Sequence, residues 1–163
     1  MASEEKAKIF SDQPIEITGI GQKTTSASFT KNILGEIEST RVAADLAYKM
    51  AKIEAKQIDV AEVHDAFSVC ELMAISELGM TSNDKSGEFV RNLFNTENRM
   101  INPRGGLIGA GHPLGATGIS QTIEITNQLQ GKSRKRQISN AETGLIHNMS
   151  AAGTSSSIMV LQN

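Results

Sequence analysis

Stretches with strand-like and helix-like patterns alternate along the 163 residues, which predicts an α/β layered sheet. Three observations lead there. Residues 15–20, Ile-Glu-Ile-Thr-Gly-Ile, alternate as a half-buried strand does. Residues 58–63 form a short β-branched run of the kind a buried strand uses, and residues 157–161 close the chain as an apolar strand. Between them lie segments of helical period, with Val42, Ala43, Leu46, Ala47 and Met50 on one apolar face.

Taken in order, residues 2–10 predict a short helix, with Ser3 as N-cap and Glu4 and Glu5 in the first turn, where the helix dipole favours acids. The strand from residue 15 is expected to continue towards Ser26. Gly35 precedes a helix over about 37–51. The strand at 58–63 ends in His64-Asp65-Ala66-Phe67, and residues 69–78 read as a helix stopped by Gly79. Residues 81–87 read as a loop, after which Phe89, Val90, Leu93 and Phe94 pack a short segment. Residues 137–141 read as a weak strand and residues 145–153 as a turn-rich loop around His147. No second domain is visible in a chain of this length.

The bulk numbers exclude several classes of function. Sixteen basic against 18 acidic residues give a net charge of −2, no field for nucleic acid or an anionic membrane. Aromatics are 4% with no Trp, too few for a base-stacking platform. One cysteine, Cys70, permits no disulfide within the chain. No apolar run approaches the roughly 18 residues of a membrane span, and the polar N-terminus has no signal-peptide core. A cytoplasmic setting is the expectation. Lys132, Arg134, Lys135 and Arg136 form the only basic run, which reads as a solvated turn.

The densest motif lies at residues 102–118, Asn-Pro-Arg-Gly-Gly-Leu-Ile-Gly-Ala-Gly-His-Pro-Leu-Gly-Ala-Thr-Gly, with six of the 14 glycines and two of the three prolines. Pro113 suits the first turn of a helix. Ile119 and Ile123 on one side, and Thr122, Ile125 and Leu129 on another, carry that helix to about residue 130, with Gly131 as its stop. His112 is therefore expected at a helix mouth, where the dipole disfavours the imidazolium. A neutral imidazole there can take a proton or donate to an oxyanion. All three histidines fall next to a predicted strand end or helix start, where α/β sheets bind ligands.

The run Gly-Gly-x-x-x-x-Gly-His-Pro-x-Gly-Ala-x-Gly closely resembles the C-terminal histidine motif of the thiolase family. His64-Asp65-Ala66-Phe67 resembles that family's Asn-Glu-Ala-Phe loop, in the His-Asp form of archaeal and sterol-carrier-protein-type members. His147-Asn148-Met149-Ser150-Ala151-Ala152-Gly153 resembles the last motif of those branches. The resemblance spans residues 1–163 as a single thiolase C-terminal domain. It implies an α/β/α layered half with a five-stranded mixed sheet. His112 would activate a nucleophilic cysteine and line an oxyanion site, and His64 would polarise the acyl oxygen, with Asp65 behind it. His147 would be acid/base or orient the acyl group, and the Met149 backbone N–H would stand where the family has an oxyanion-hole glycine.

The nucleophilic cysteine implied by the resemblance belongs to an N-terminal half, which this chain lacks. Cys70 sits in an apolar helical pattern and reads as a buried structural thiol. The acid/base cysteine of the sterol-carrier-protein type is replaced by Ala66. The chain is therefore expected to be the C-terminal domain or subunit of a thiolase-type acetyl-CoA acetyltransferase, inactive without its N-terminal half. Coenzyme A enters as a substrate, and no metal or prosthetic group is implied. Two alternatives stand beside this: an acyl-CoA aldolase working with an OB-fold partner, and a non-catalytic scaffold bridging to 3-hydroxy-3-methylglutaryl-CoA synthase. A homo-oligomer is the family expectation.

Overall fold

A computed structural model describes residues 1–28, 30, 33–95 and 100–163. Helix α1 (Glu4–Phe10) precedes strand β1 (Glu16–Thr24), helix α2 (Glu38–Ala51), strand β2 (Val60–Glu62) and helices α3 (Ser68–Glu77) and α4 (Ser86–Asn95). Helices α5 (Gly106–Ala110) and α6 (Thr117–Leu129) follow, then strands β3 (Thr143–Met149) and β4 (Ser155–Gln162). The sheet runs β1-β4-β3-β2, with β1/β4 and β3/β4 antiparallel and β2/β3 parallel.

Helices cover both faces. On one, Ala43, Ala47 and Tyr48 of α2 and Ala74, Ile75 and Leu78 of the α3 region bury Leu145, Ile158 and Val160. The alanines let α2 lie close on β1, and a Cβ at Gly21 would run into the Ala43 carbonyl oxygen. The Tyr48 hydroxyl donates to the Leu78 carbonyl at 2.8 Å and ties α2 to the end of α3. On the other face, Ile125 and Leu129 of α6 cover Val60, Ile146 and Leu161. Among the described residues no helix is long and apolar enough to cross a membrane.

Four sequence expectations are corrected. Among the described residues the sheet has four strands rather than five, and the position beside β2 holds a single parallel bridge, Ala61 to Ile101. Asn102 then turns to φ 48°, and its side-chain Oδ1, not a main-chain carbonyl, accepts from the Val63 N–H at 2.8 Å. Pro103, without an N–H, cannot extend the ladder. Residues 137–141 form no strand, and the Gln128 side chain takes hydrogen bonds at the start of the segment. It donates to the Arg136 carbonyl (2.7 Å) and accepts from the Ile138 N–H (2.8 Å). The loop expected from residue 145 is strand β3 as far as Met149, its apolar start packed on both faces of the sheet. Lastly, α6 begins at Thr117. Pro113 opens the turn before it, its carbonyl accepting from the Ala116 and Thr117 N–H groups at 2.8 and 3.0 Å.

Candidate active site

Beyond the ends of β2 and β3 lies a cleft of about 890 Å³, walled by His64, Ala66, Phe67 and Cys70 on one side and His112, Leu114, Gly118 and Ile119 on another. Asn148, Met149 and Ser150 close it from β3. The imidazoles of His64 and His112 meet edge to face, centroids 4.9 Å apart.

His112 is half-buried and is held by the turn that precedes α6. Its Nδ1 lies 2.7 Å from Thr117 Oγ1, and that hydroxyl donates to the Pro113 carbonyl at 3.2 Å. A threonine hydroxyl has one hydrogen. Nδ1 must therefore carry the proton and donate to Thr117, which leaves Nε2 as a lone pair able to take a proton. The Thr117 hydroxyl thus sets which ring nitrogen of His112 faces outward.

His64 is 5% exposed. Burial lowers its pKa first and the neighbouring His112 lowers it further, while a hydrogen bond with Asn148 and the nearby Asp65 pull the other way. It is neutral at pH 7, and its buried Nδ1 has no partner among the described residues. Asp65 faces away from the reaction space. Its Oδ1 accepts from the Leu107 N–H at 2.6 Å, and the bare Gly106 (φ 63°) packs against the carboxylate where any side chain would collide. Asp65 thus clamps the start of α5 and sets the path to His112.

His147 is fully buried and its ring does not line the cleft. It projects from the α2 face of β3, with Nε2 3.0 Å from Thr40 Oγ1 and Nδ1 accepting from the His64 N–H at a long 3.4 Å. Burial, with His64 adding, lowers its pKa to about 3. The next residue, Asn148, points to the opposite face and reaches the cleft, since successive strand residues alternate. Reading 145–153 as a loop concealed that alternation, and with it Asn148. Met149 stands at the cleft edge. Ser150 N–H donates to the Ser155 carbonyl, so the adjoining pair Met149–Ser156 is not hydrogen-bonded and the Met149 N–H turns away from β4. Cys70 is half-buried on the cleft wall rather than inside the core.

Beside the cleft lies a polar group that the sequence did not single out. Asn148 Nδ2 donates to Gln121 Oε1 at 2.6 Å. Glu62, fully buried, accepts at Oε1 from the Arg104 N–H (3.3 Å) and pairs at Oε2 with Arg104 Nε (3.5 Å). The Arg104 guanidinium also donates to Ser120 Oγ. Burial raises the Glu62 pKa to about 7 against the opposing pull of Arg104. Among the described residues no three His, Cys, Asp or Glu side chains converge as a metal-binding group.

The family model described as thiolase C-terminal domain-like matches residues 19–163. The acetyl-CoA acetyltransferase of Methanothermobacter thermautotrophicus is 36% identical over 157 residues, spanning 94% of this chain and 41% of that protein. Sterol carrier protein 2 of Oryctolagus cuniculus is 37% identical over 161 residues, spanning 94% of this chain and 29% of that protein. This chain thus spans less than half the length of these curated relatives. Among solved structures, the Ltp2-ChsH2(DUF35) aldolase superposes with a TM-score of 0.77 at 18% identity, over 91% of this chain and 39% of that one. That likeness shows the fold alone. With three motifs in order, a mixed sheet between helical layers and a match over residues 19–163, the chain belongs to the thiolase C-terminal domain-like family.

Proposed function

We propose that this chain supplies the histidine half of a thiolase-type acyl-transfer site, completed by a cysteine on an N-terminal half. The observation that carries the reading is His112. Its Nδ1 proton is committed to Thr117, its Nε2 has no hydrogen-bond partner among the described residues, and the ring of the neutral His64 stands 4.9 Å away, centroid to centroid. In this reading Nε2 takes the thiol proton, the thiolate attacks the thioester carbonyl of acetyl-CoA, and Nε2 passes that proton to the departing coenzyme A sulfur as the acyl-enzyme forms. A base on the N-terminal half then takes the α-proton of a second acetyl-CoA, and the neutral His64 stabilises the resulting enolate oxygen as the enolate carbon attacks the acyl-enzyme and expels the cysteine thiolate. Run backwards, the sequence is thiolysis of acetoacetyl-CoA.

The rim supports a missing partner. Ile119 and Ile123, one turn apart on α6, are 65% and 56% exposed, and Leu114 at the cleft mouth is 83% exposed. An uncovered apolar stripe beside a site marks an interaction surface. The chain alone is expected to show no turnover of acetoacetyl-CoA, and the pair with its N-terminal half to show it. His112→Ala in that pair should cost about 10²–10⁴-fold in rate, the span of general-base catalysis. Turnover by the isolated chain, or near-full rate in the variant, overturns the reading.

A second reading, aldol chemistry with an OB-fold partner, is favoured by one residue. Ala66 on the cleft wall offers no acid/base group. A partner half without a reactive cysteine would select it.

A further inference from the structure

His147 is not at the cleft, yet its two nitrogens are committed in a way that fixes the direction of every proton behind it. A main-chain N–H can only donate, so the His64 N–H bond makes His147 Nδ1 an acceptor. The neutral ring then carries its proton on Nε2 and donates to Thr40 Oγ1 at 3.0 Å. From there the sequence is forced. Thr40 Oγ1 lies 2.9 Å from Ser156 Oγ, and Ser156 Oγ lies 2.8 Å from Ser39 Oγ. Ser39 Oγ donates to the Gly153 carbonyl at 2.7 Å. Each hydroxyl accepts one bond and donates its single hydrogen. Ser39, Thr40, His147 and Ser156 are all at most 1% exposed.

The two ends of the hydrogen-bond chain lead to two parts of the cleft lining. One end is the main chain of His64 at the close of β2. The other is the turn at residues 150–154, where the Gly153 N–H donates to the Ser150 carbonyl at 2.8 Å and Ser150 and Ala151 line the cleft. The β-branched Thr40 and the helix start of α2 hold the middle links rigidly, and the surroundings are apolar, so an unmade bond is costly.

We infer that His147 is a positioning residue, the anchor of a one-directional hydrogen-bond chain through Thr40, Ser156 and Ser39 that holds the His64 wall and the 150–154 wall of the cleft at a fixed separation. It exchanges no proton with substrate. The role in catalysis rests on the acyl-transfer reading; the coupling of the two walls does not.

Thr40→Val keeps the shape and removes the hydroxyl, and Thr40→Ser keeps the hydroxyl. Both variants of the 163-residue chain are compared with the parent by NMR. The parent should show His147 as the Nε2–H tautomer. Thr40→Val should speed exchange of the His64 amide at least tenfold and shift both the His64 ring nitrogens and the Gly153 amide. Thr40→Ser should restore all three. If Thr40→Val fails to fold, Ser156→Ala cuts the same chain one link later and should move the same signals. A folded variant with unchanged His64 and Gly153 signals overturns the inference, as does an Nδ1–H tautomer for His147. In the assembled pair, Thr40→Val should lower kcat with KM nearly unchanged. An inactive parent pair sinks the acyl-transfer reading and leaves the NMR comparison intact.

Discussion

The two faces of the sheet are finished to different standards. On the α2 face the packing is closed, with Ala43, Ala47, Leu145 and Val160 fully buried. The polar groups there, His147, Thr40, Ser156 and Ser39, satisfy one another. On the α6 face the apolar side chains Ile119 and Ile123 lie in solvent, Arg104 Nη2 and Gln121 Nε2 are buried without a hydrogen-bond partner among the described residues, and Glu62 Oε2 and Arg104 Nε meet only as a long ion pair at 3.5 Å. His64 Nδ1 is in the same condition at the cleft. Natural cores pair nearly all buried polar atoms. A face that exposes apolar groups and strands polar ones is the face where chemistry or a further surface belongs, and the cleft opens on that side.

The largest expected effect contrasts the two faces directly. Leu145→Ala, on the closed face, removes a fully buried side chain and should cost about 2–5 kcal/mol. Ile119→Ser, on the open face, should stay within about 0.5 kcal/mol in the isolated chain. Urea unfolding of both variants measures this. If Ile119→Ser proves as costly as Leu145→Ala, α6 is covered by this chain itself and the contrast fails. In a mixture with the N-terminal half the ranking should reverse, Ile119→Ser weakening association while Leu145→Ala, where folded, does not.

Much of this was legible in the sequence, and the failures have physical causes. Strands β1 and β4 and helices α2, α3 and α6 are set by local pattern, period 2 or 3.6 on an apolar face, and that pattern is written in adjacent residues. Strand β3 was missed because Thr-Gly-Leu-Ile-His-Asn-Met mixes polar and apolar residues. Its strand state comes from pairing with β4 and from burial on both faces. The fifth strand was lost to one side chain, Asn102, whose amide takes a ladder position that no periodicity reveals. His112 stood out because Gly- and Pro-rich punctuation surrounds it, and His64 because His-Asp-Ala-Phe follows an apolar strand pattern. Glu62, Gln121 and Asn148 carried no such mark, and Arg104 lay unremarked inside the glycine-rich run, since the role of each depends on partners about 20 to 60 residues away.

A smaller effect tests the polar half of the contrast through pH. His147 has a folded pKa near 3 against an ordinary 6.5, so it is neutral when folded and takes a proton on unfolding. Its contribution to stability is complete above pH 6.5 and is lost as pH falls from there towards 3. Glu62 has the opposite sense. Its folded pKa is near 7 against 4.5, so the folded state holds a proton that the unfolded state has released, and stability falls as pH rises from 4.5 to 7. His64, lowered by burial, adds to the first effect, and Glu71, raised by burial, adds to the second. Between pH 4.5 and 6.5 His147 and Glu62 oppose each other proton for proton. Glu62→Gln removes one side of that balance. Whatever it does to the absolute stability by stranding Arg104, the slope of stability against pH in that window should steepen by up to about 1.4 kcal/mol per pH unit relative to the parent, with stability rising with pH. Denaturant titrations of parent and variant at pH 4.5, 5.5 and 6.5 measure the slope difference. Parallel lines would mean that Glu62 is ionised in the fold and fully paired with Arg104, and the open face would then hold one stranded charge fewer than its geometry implies.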